Sequence, residues 1–146
     1  QKIANAMVGR PVLCTTEKPE VTIGEKIVEI KDLEVKNNKG LPAVKKVSLD
    51  IRAGEVLGIA GVEGSGQSEL IEAITGLRKI EAGAFTLNGE DLAGKTPRHI
   101  TLAGLAHVPE DRHARAAVSE FSVRDTFAFG VHREKFTKNR ILLLIN

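Results

Sequence analysis

Between residues 27 and 51 polar and apolar positions alternate in two runs that a turn separates. In the first, Ile27, Glu29 and Lys31 oppose Val28 and Ile30 before Leu33 and Val35. In the second, Val44, Val47, Leu49 and Ile51 punctuate the stretch from Ala43. A period near two is that of a strand with one face buried, and Asn37-Asn38-Lys39-Gly40 supplies turn chemistry between the runs. The pair predicts a long antiparallel hairpin. Arg52-Ala53-Gly54-Glu55 then turns the chain into Val56-Leu57-Gly58-Ile59-Ala60, an apolar run that reads as a buried strand.

Past a glycine-rich stretch the period changes. Leu70, Ile71 and Ile74 fall on one face of a helix expected from Gln67 to Thr75, with Gly76 as its stop. Gly83 to Asn88 predicts a short strand carrying Phe85 and Leu87 on one face, and Asn88-Gly89 is a strong turn signal. Thr96-Pro97 reads as an N-cap followed by proline at the first helical position. Leu105 to Val108 predicts another short buried strand, and Glu110 to Arg115 a polar loop. Ser122 and Asp125 fit the capping pattern of a helix reaching about Val131. Upstream, Ala4, Met7, Val8 and Gly9 resemble the end of a helix, and residues 11–26 have linker composition. The tail turns apolar at Ile141 to Ile145, which makes self-association an expectation.

Composition changes this picture little. With 146 residues the chain suits one domain, and 42% hydrophobic and 27% charged residues are ordinary for a soluble protein. A net charge of +2 spread over both signs gives no nucleic-acid footprint. Five Phe are the only aromatics, so no Tyr or Trp offers a stacking surface. Cys14 is the single cysteine and cannot form an internal disulfide, which fits a reducing compartment. His99, His107, His113 and His132 lack metal-ligand spacing, and no apolar stretch approaches eighteen residues.

The candidate chemistry lies in Gly61-Val62-Glu63-Gly64-Ser65-Gly66-Gln67-Ser68-Glu69. A strand, a glycine-rich loop and a helix in that order make a phosphate cradle. Glycines allow positive φ and close approach to an anion, successive N–H groups point inward, and the helix adds its positive end. Gly61, Gly66 and Ser68 match G-x-x-x-x-G-K-[ST], but Gln67 stands where the pattern has lysine. Glutamine donates a neutral hydrogen bond and brings no charge, so binding is expected to survive while turnover is not.

These residues carry a resemblance. The hairpin, Gly54-Glu55, the loop Gly61 to Ser68, Gly76-Leu77, Gly83, Asn88-Gly89, Val108-Pro109-Glu110-Asp111-Arg112 and Phe121-Ser122-Val123 together resemble an ABC transporter ATP-binding subunit. More narrowly, glutamine in the loop and Val-Pro-Glu-Asp-Arg at 108–112 resemble the second nucleotide-binding domain of double-domain sugar and nucleoside importer ATPases. Met7-Val8-Gly9-Arg10 resembles the last residues of the domain before it. The resemblance implies an α/β P-loop NTPase half-domain with an antiparallel β-hairpin subdomain, ending before the signature segment. It divides the chain into the tail of a preceding ATPase domain (1–10), a linker (11–26), the N-terminal part of the nucleotide-binding domain (27–120) and the start of a helical subdomain (121–146).

The resemblance also implies roles. Gly61 to Glu69 would bind ATP, with the backbone N–H groups of Gly64, Ser65, Gly66 and Gln67 on the β-phosphate. Ser68 would ligate Mg²⁺, and Glu110, at the place of the family's Q-loop glutamine, could ligate it too while repelling the γ-phosphate. As a charged turn, Glu110-Asp111-Arg112 also fits a solvated surface with no ligand. No aromatic occupies Lys36 to Lys39, so adenine would pack on Val35, Val44 or a lysine stem, with little preference between ATP and GTP. Implied partners are ATP, transmembrane permease subunits and the preceding ATPase domain, at the cytoplasmic face of the membrane, with no nucleic acid. The other class left open is a non-catalytic nucleotide-binding module in which ATP acts as dimer glue.

Overall fold

The two alternating runs form β1 (Lys26–Lys36) and β2 (Pro42–Arg52), paired antiparallel. The computed structural model describes residues 20–128, together with 6, 7, 9, 137, 138, 141 and 142. These residues fall into two compact units, Gln1–Leu105 and Ala106–Asn146.

In the first unit the hairpin is joined by β3 (Ala82–Leu87) and β4 (Glu90–Asp91) in a four-stranded antiparallel sheet of order β2-β1-β3-β4. β3 and β4 are linked by Asn88 at φ 50 and Gly89 at φ 80, the pair of positive values that a tight two-residue hairpin turn needs. The helices are α1 (Gln67–Ile74) and α2 (Pro97–Leu102). Leu70 and Ala73 of α1 and Ile100 of α2 enter a core with Ile30, Leu33, Val35, Val44, Phe85, Leu87 and Leu92. Phe85 is fully enclosed, at 0% exposure. The fully buried residues of α1 are Leu70 and Ala73. Ile74 is half-buried and packs against this core, as expected of the inner face, while Ile71 is half-buried without entering it.

The hairpin holds a feature that its hydrophobic pattern encodes. Ile30 and Leu33 are both buried although three residues apart, which a regular strand forbids. The register runs from Ile30↔Leu49 to Leu33↔Val47, three residues against two, so β1 bulges at Lys31–Asp32. Asp32 takes φ 47, and its N–H donates to Ser48 Oγ at 2.8 Å. β2 answers with a bulge of its own: Leu33↔Val47 to Val35↔Val44 is two against three, and Lys46 takes φ 51. Gly83 of β3 faces the first bulge. A Cβ there would meet Asp32 O at 2.5 Å and Lys31 O at 2.6 Å.

Two expected strands do not form. Residues 55–62 have no regular structure, and Val56 is 96% exposed. A buried strand needs neighbours on its edges and cover on its faces, and no strand among the described residues pairs with this run. Residues 105–109 are likewise irregular, with Val108 82% exposed, so His107 is an exposed loop residue and not a packed strand residue.

The second unit, described by itself, holds α3 (Arg112–Arg115), α4 (Val123–Ala128) and the short antiparallel pair β5 (Thr137–Lys138) and β6 (Ile141–Leu142). Asp111 caps α3 by accepting from Ala114 N at 2.9 Å. The expected cap of α4 forms, with Asp125 N donating to Ser122 Oγ at 3.2 Å. The expected end of that helix at Val131, most of the preceding-domain tail, residues 11–19 of the linker with Cys14, His132 and Leu143 to Ile145 lie outside the described residues. Among the described residues no helix is long and apolar enough to cross a membrane.

Candidate functional site

The loop expected to cradle phosphate connects the exposed run at 55–62 to α1. Ser65 N donates to Val62 O at 3.1 Å, closing a turn in which Gly64 takes φ 82. Gly66 follows at φ 96, ψ 4, as the N-cap of α1. Both values lie where glycine alone is unstrained. Gly66 is also buried: a Cβ on it would come 2.6 Å from Ala43 O and 3.2 Å from Ala43 C. The start of α1 is thus seated directly on the first residues of β2.

Capping separates this helix from the others. Thr96 caps α2 through His99 N at 3.3 Å, and Asp111 caps α3. The N-terminus of α1 has no side-chain cap. Its first-turn N–H groups, on Gln67, Ser68 and Glu69, have no partner within the helix and are the donors a phosphate group would take. Ser68 is exposed in that turn and Glu69 is half-buried beside it. The residues therefore fit a diphosphate: open N–H groups, a glycine with open space at Gly64, and a hydroxyl at Ser68.

Gln67 does not point into open space. Its Nε2 donates to Ile59 O at 2.9 Å, across eight residues of chain. A Cβ on Gly61 would lie 3.0 Å from Gln67 Cδ, 3.1 Å from Nε2 and 2.5 Å from Ser65 Oγ. Gly61 is thus required because the Gln67 and Ser65 side chains fold back over it.

At its other end α1 is held by Arg78, a residue that no sequence motif marks. Arg78 Nε and Nη2 donate to Glu72 Oε2 at 2.8 and 2.6 Å, Nη1 to Lys36 O at 2.9 Å, and Nη2 to Asn38 Oδ1 at 2.8 Å. One guanidinium thus ties the helix to the end of β1 and its turn. Arg78 and Glu72 are six residues apart, off helical spacing. They meet only because Gly76, at φ 75, reverses the chain and Leu77 N and Arg78 N donate to Glu72 O.

Other candidates are placed less favourably. Val35 and Val44 are core residues, at 1% and 4% exposure, and offer no surface to a base; Leu41, at 58%, is the apolar side chain open beside that turn. Glu110 is exposed in the second unit, ahead of α3. Among the described residues no group of three or more His, Cys, Asp or Glu could hold a metal ion.

Residues 44–142 match the family described as ABC transporter. A guanosine import ATP-binding protein of Bacillus subtilis is 43% identical over 134 residues, covering 92% of this chain and 26% of that protein. A nucleoside import ATP-binding protein of Lactococcus lactis is 45% identical over 128 residues, covering 88% of this chain and 25% of that protein. A glucose import ATP-binding protein of Haloferax volcanii is 40% identical over 132 residues, covering 90% of this chain and 24% of that protein. The chain spans about a quarter of the length of these relatives. Among solved structures, the ADP conformation of an ATP-binding cassette of an ABC transporter matches with a TM-score of 0.52 and 29% identity, covering 55% of this chain and 31% of that one.

Proposed function

The chain belongs to the ABC transporter family, and on that footing we propose that it is part of the ATP-binding subunit of a sugar or nucleoside importer. In this reading Gly61, Gly64, Ser65, Gly66, Gln67, Ser68 and Glu69 bind ATP with Mg²⁺, and the site turns nucleotide over poorly. The observation that carries it is Gln67. It occupies the lysine position of the loop, is neutral, and has its amide directed at Ile59 O. A lysine there places a full charge where negative charge develops during phosphoryl transfer, and losing such a partner costs about 10²–10³ in rate. The open N–H groups of α1 remain, so binding is retained where catalysis is not.

Magnesium, when bound, neutralises phosphate oxygens, and Ser68 would hold it. The relatives named for guanosine, nucleoside and glucose import support an importer working with transmembrane permease subunits at the cytoplasmic face of the membrane. Residues 1–10 would be the tail of a preceding ATPase domain and 11–26 the linker from it.

The test is Gln67→Lys in the full-length protein, read by ATP hydrolysis. A rise of about tenfold or more supports a site disabled by its missing charge. No change, with binding retained, supports the second reading, in which this domain is a non-catalytic module whose nucleotide holds a dimer together. Failure of the unaltered loop to bind nucleotide sinks both.

A further inference from the structure

From the placement of Gln67 we infer that this loop is a nucleoside diphosphate site, holding ADP at least as tightly as ATP, and that Gln67 is its positioning residue. The inference rests on the nucleotide reading above and goes beyond it in fixing which nucleotide is retained. Two observations carry it.

The first is the tie from Gln67 Nε2 to Ile59 O at 2.9 Å. It joins the segment entering the loop to the first residue of α1, so the side chain closes the loop at its base. Its carbon and nitrogen lie 3.0 and 3.1 Å from where a Gly61 Cβ would be. A side chain folded back in this way shapes the backbone cradle and does not reach toward a terminal phosphate.

The second is charge. From Val56 to Leu77 the chain has no Lys, Arg or His, and it carries Glu63, Glu69 and Glu72. The next cation, Arg78, is engaged with Glu72, Lys36 O and Asn38. Within this segment the groups open to phosphate are neutral N–H donors, which suit a diphosphate, and the segment itself brings no cation to a third phosphate. A γ-phosphate adds negative charge beside Glu63 and Glu69 with nothing in this segment to offset it.

The experiment measures ADP and ATP binding, each with Mg²⁺, to the whole protein and to Gln67→Lys and Gln67→Met variants, with amide hydrogen exchange over residues 61–66. In the unaltered protein the ADP dissociation constant is expected to equal or fall below that of ATP. Gln67→Lys, which keeps a donor and adds a charge, shifts the ratio toward ATP by about tenfold. Gln67→Met, of similar length with no donor, weakens both nucleotides about equally and speeds exchange in the loop. ATP bound tenfold or more tighter than ADP by the unaltered protein overturns the inference and leaves the nucleotide reading intact. Unchanged exchange and affinity in Gln67→Met overturns the tie. Binding of neither nucleotide removes the nucleotide reading and this inference with it.

Discussion

Gly66 carries three requirements at once. Its φ of 96 is left-handed, it is the N-cap of α1, and a side chain on it would strike Ala43 O. Gly66→Ala therefore forces the helix start off β2. A loss of about 1–3 kcal/mol in denaturant unfolding is expected, with nucleotide binding lost alongside. Gly64→Ala meets open space at an equally unfavourable φ, so it separates strain from clash and should cost about 1 kcal/mol. Arg78 acts at the same scale. Its side chain and that of Glu72 are 18% and 16% exposed, and Arg78→Ala takes a donor away from a carboxylate, a carbonyl and an amide oxygen. A loss of about 2 kcal/mol in chemical denaturation is expected, and an effect under about 0.5 kcal/mol would show the clamp to be decorative.

Among the elements, the hairpin shows how much a hydrophobic pattern states on its own. The alternation of residues 27–35 and 43–51 is enough to place two strands and their turn. The same pattern contains its own exceptions: Ile30 to Leu33 and Val44 to Val47 each step by three, and each step marks a bulge. The signal is legible, but its meaning depends on both strands being in register, since an odd step alone equally marks the end of a strand. Gly83→Ala tests the outcome, because the new methyl would meet two carbonyl oxygens of the bulge. It should destabilise by about 2 kcal/mol or more in thermal or denaturant unfolding, whereas the same change at exposed Gly89, whose Cβ direction is open, should cost about 1 kcal/mol from its φ alone. In the proposed nucleotide site the turn between the strands would lie beside the base. With Val35 and Val44 buried and no aromatic in the turn, the surface left for a purine is aliphatic, so ATP and GTP are expected to bind within about threefold of each other by calorimetry.

Across the whole chain, hydrophobicity divides into what is buried here and what is not. Phe85 is enclosed, and Phe85→Ala should cost about 3–5 kcal/mol, enough to unfold a marginal domain. Val56 is as apolar in character but 96% exposed, so Val56→Thr in the 146-residue chain should shift stability by no more than about 0.5 kcal/mol. The two together, measured in one denaturation series, distinguish a core position from an apolar run that no described strand pairs with.

Local features follow from the order of residues alone: the hairpin strands from alternation, turns from Asn and Gly, caps from Thr96 and Ser122, and the turn ahead of α1 from its glycines. Each depends on a few neighbouring residues whose backbone preferences are set by their own chemistry. The remaining features are products of tertiary contact. Gly66 rests on Ala43, Arg78 reaches back to Lys36 and Asn38, and Val56 to Ala60 pairs with no described strand. Gln67, a missing charge in the motif, becomes a tie on Ile59 in the fold. Apolar character states that a residue gains by burial, and a donor that it gains by an acceptor. Which partner is within reach depends on where distant parts of the chain arrive together.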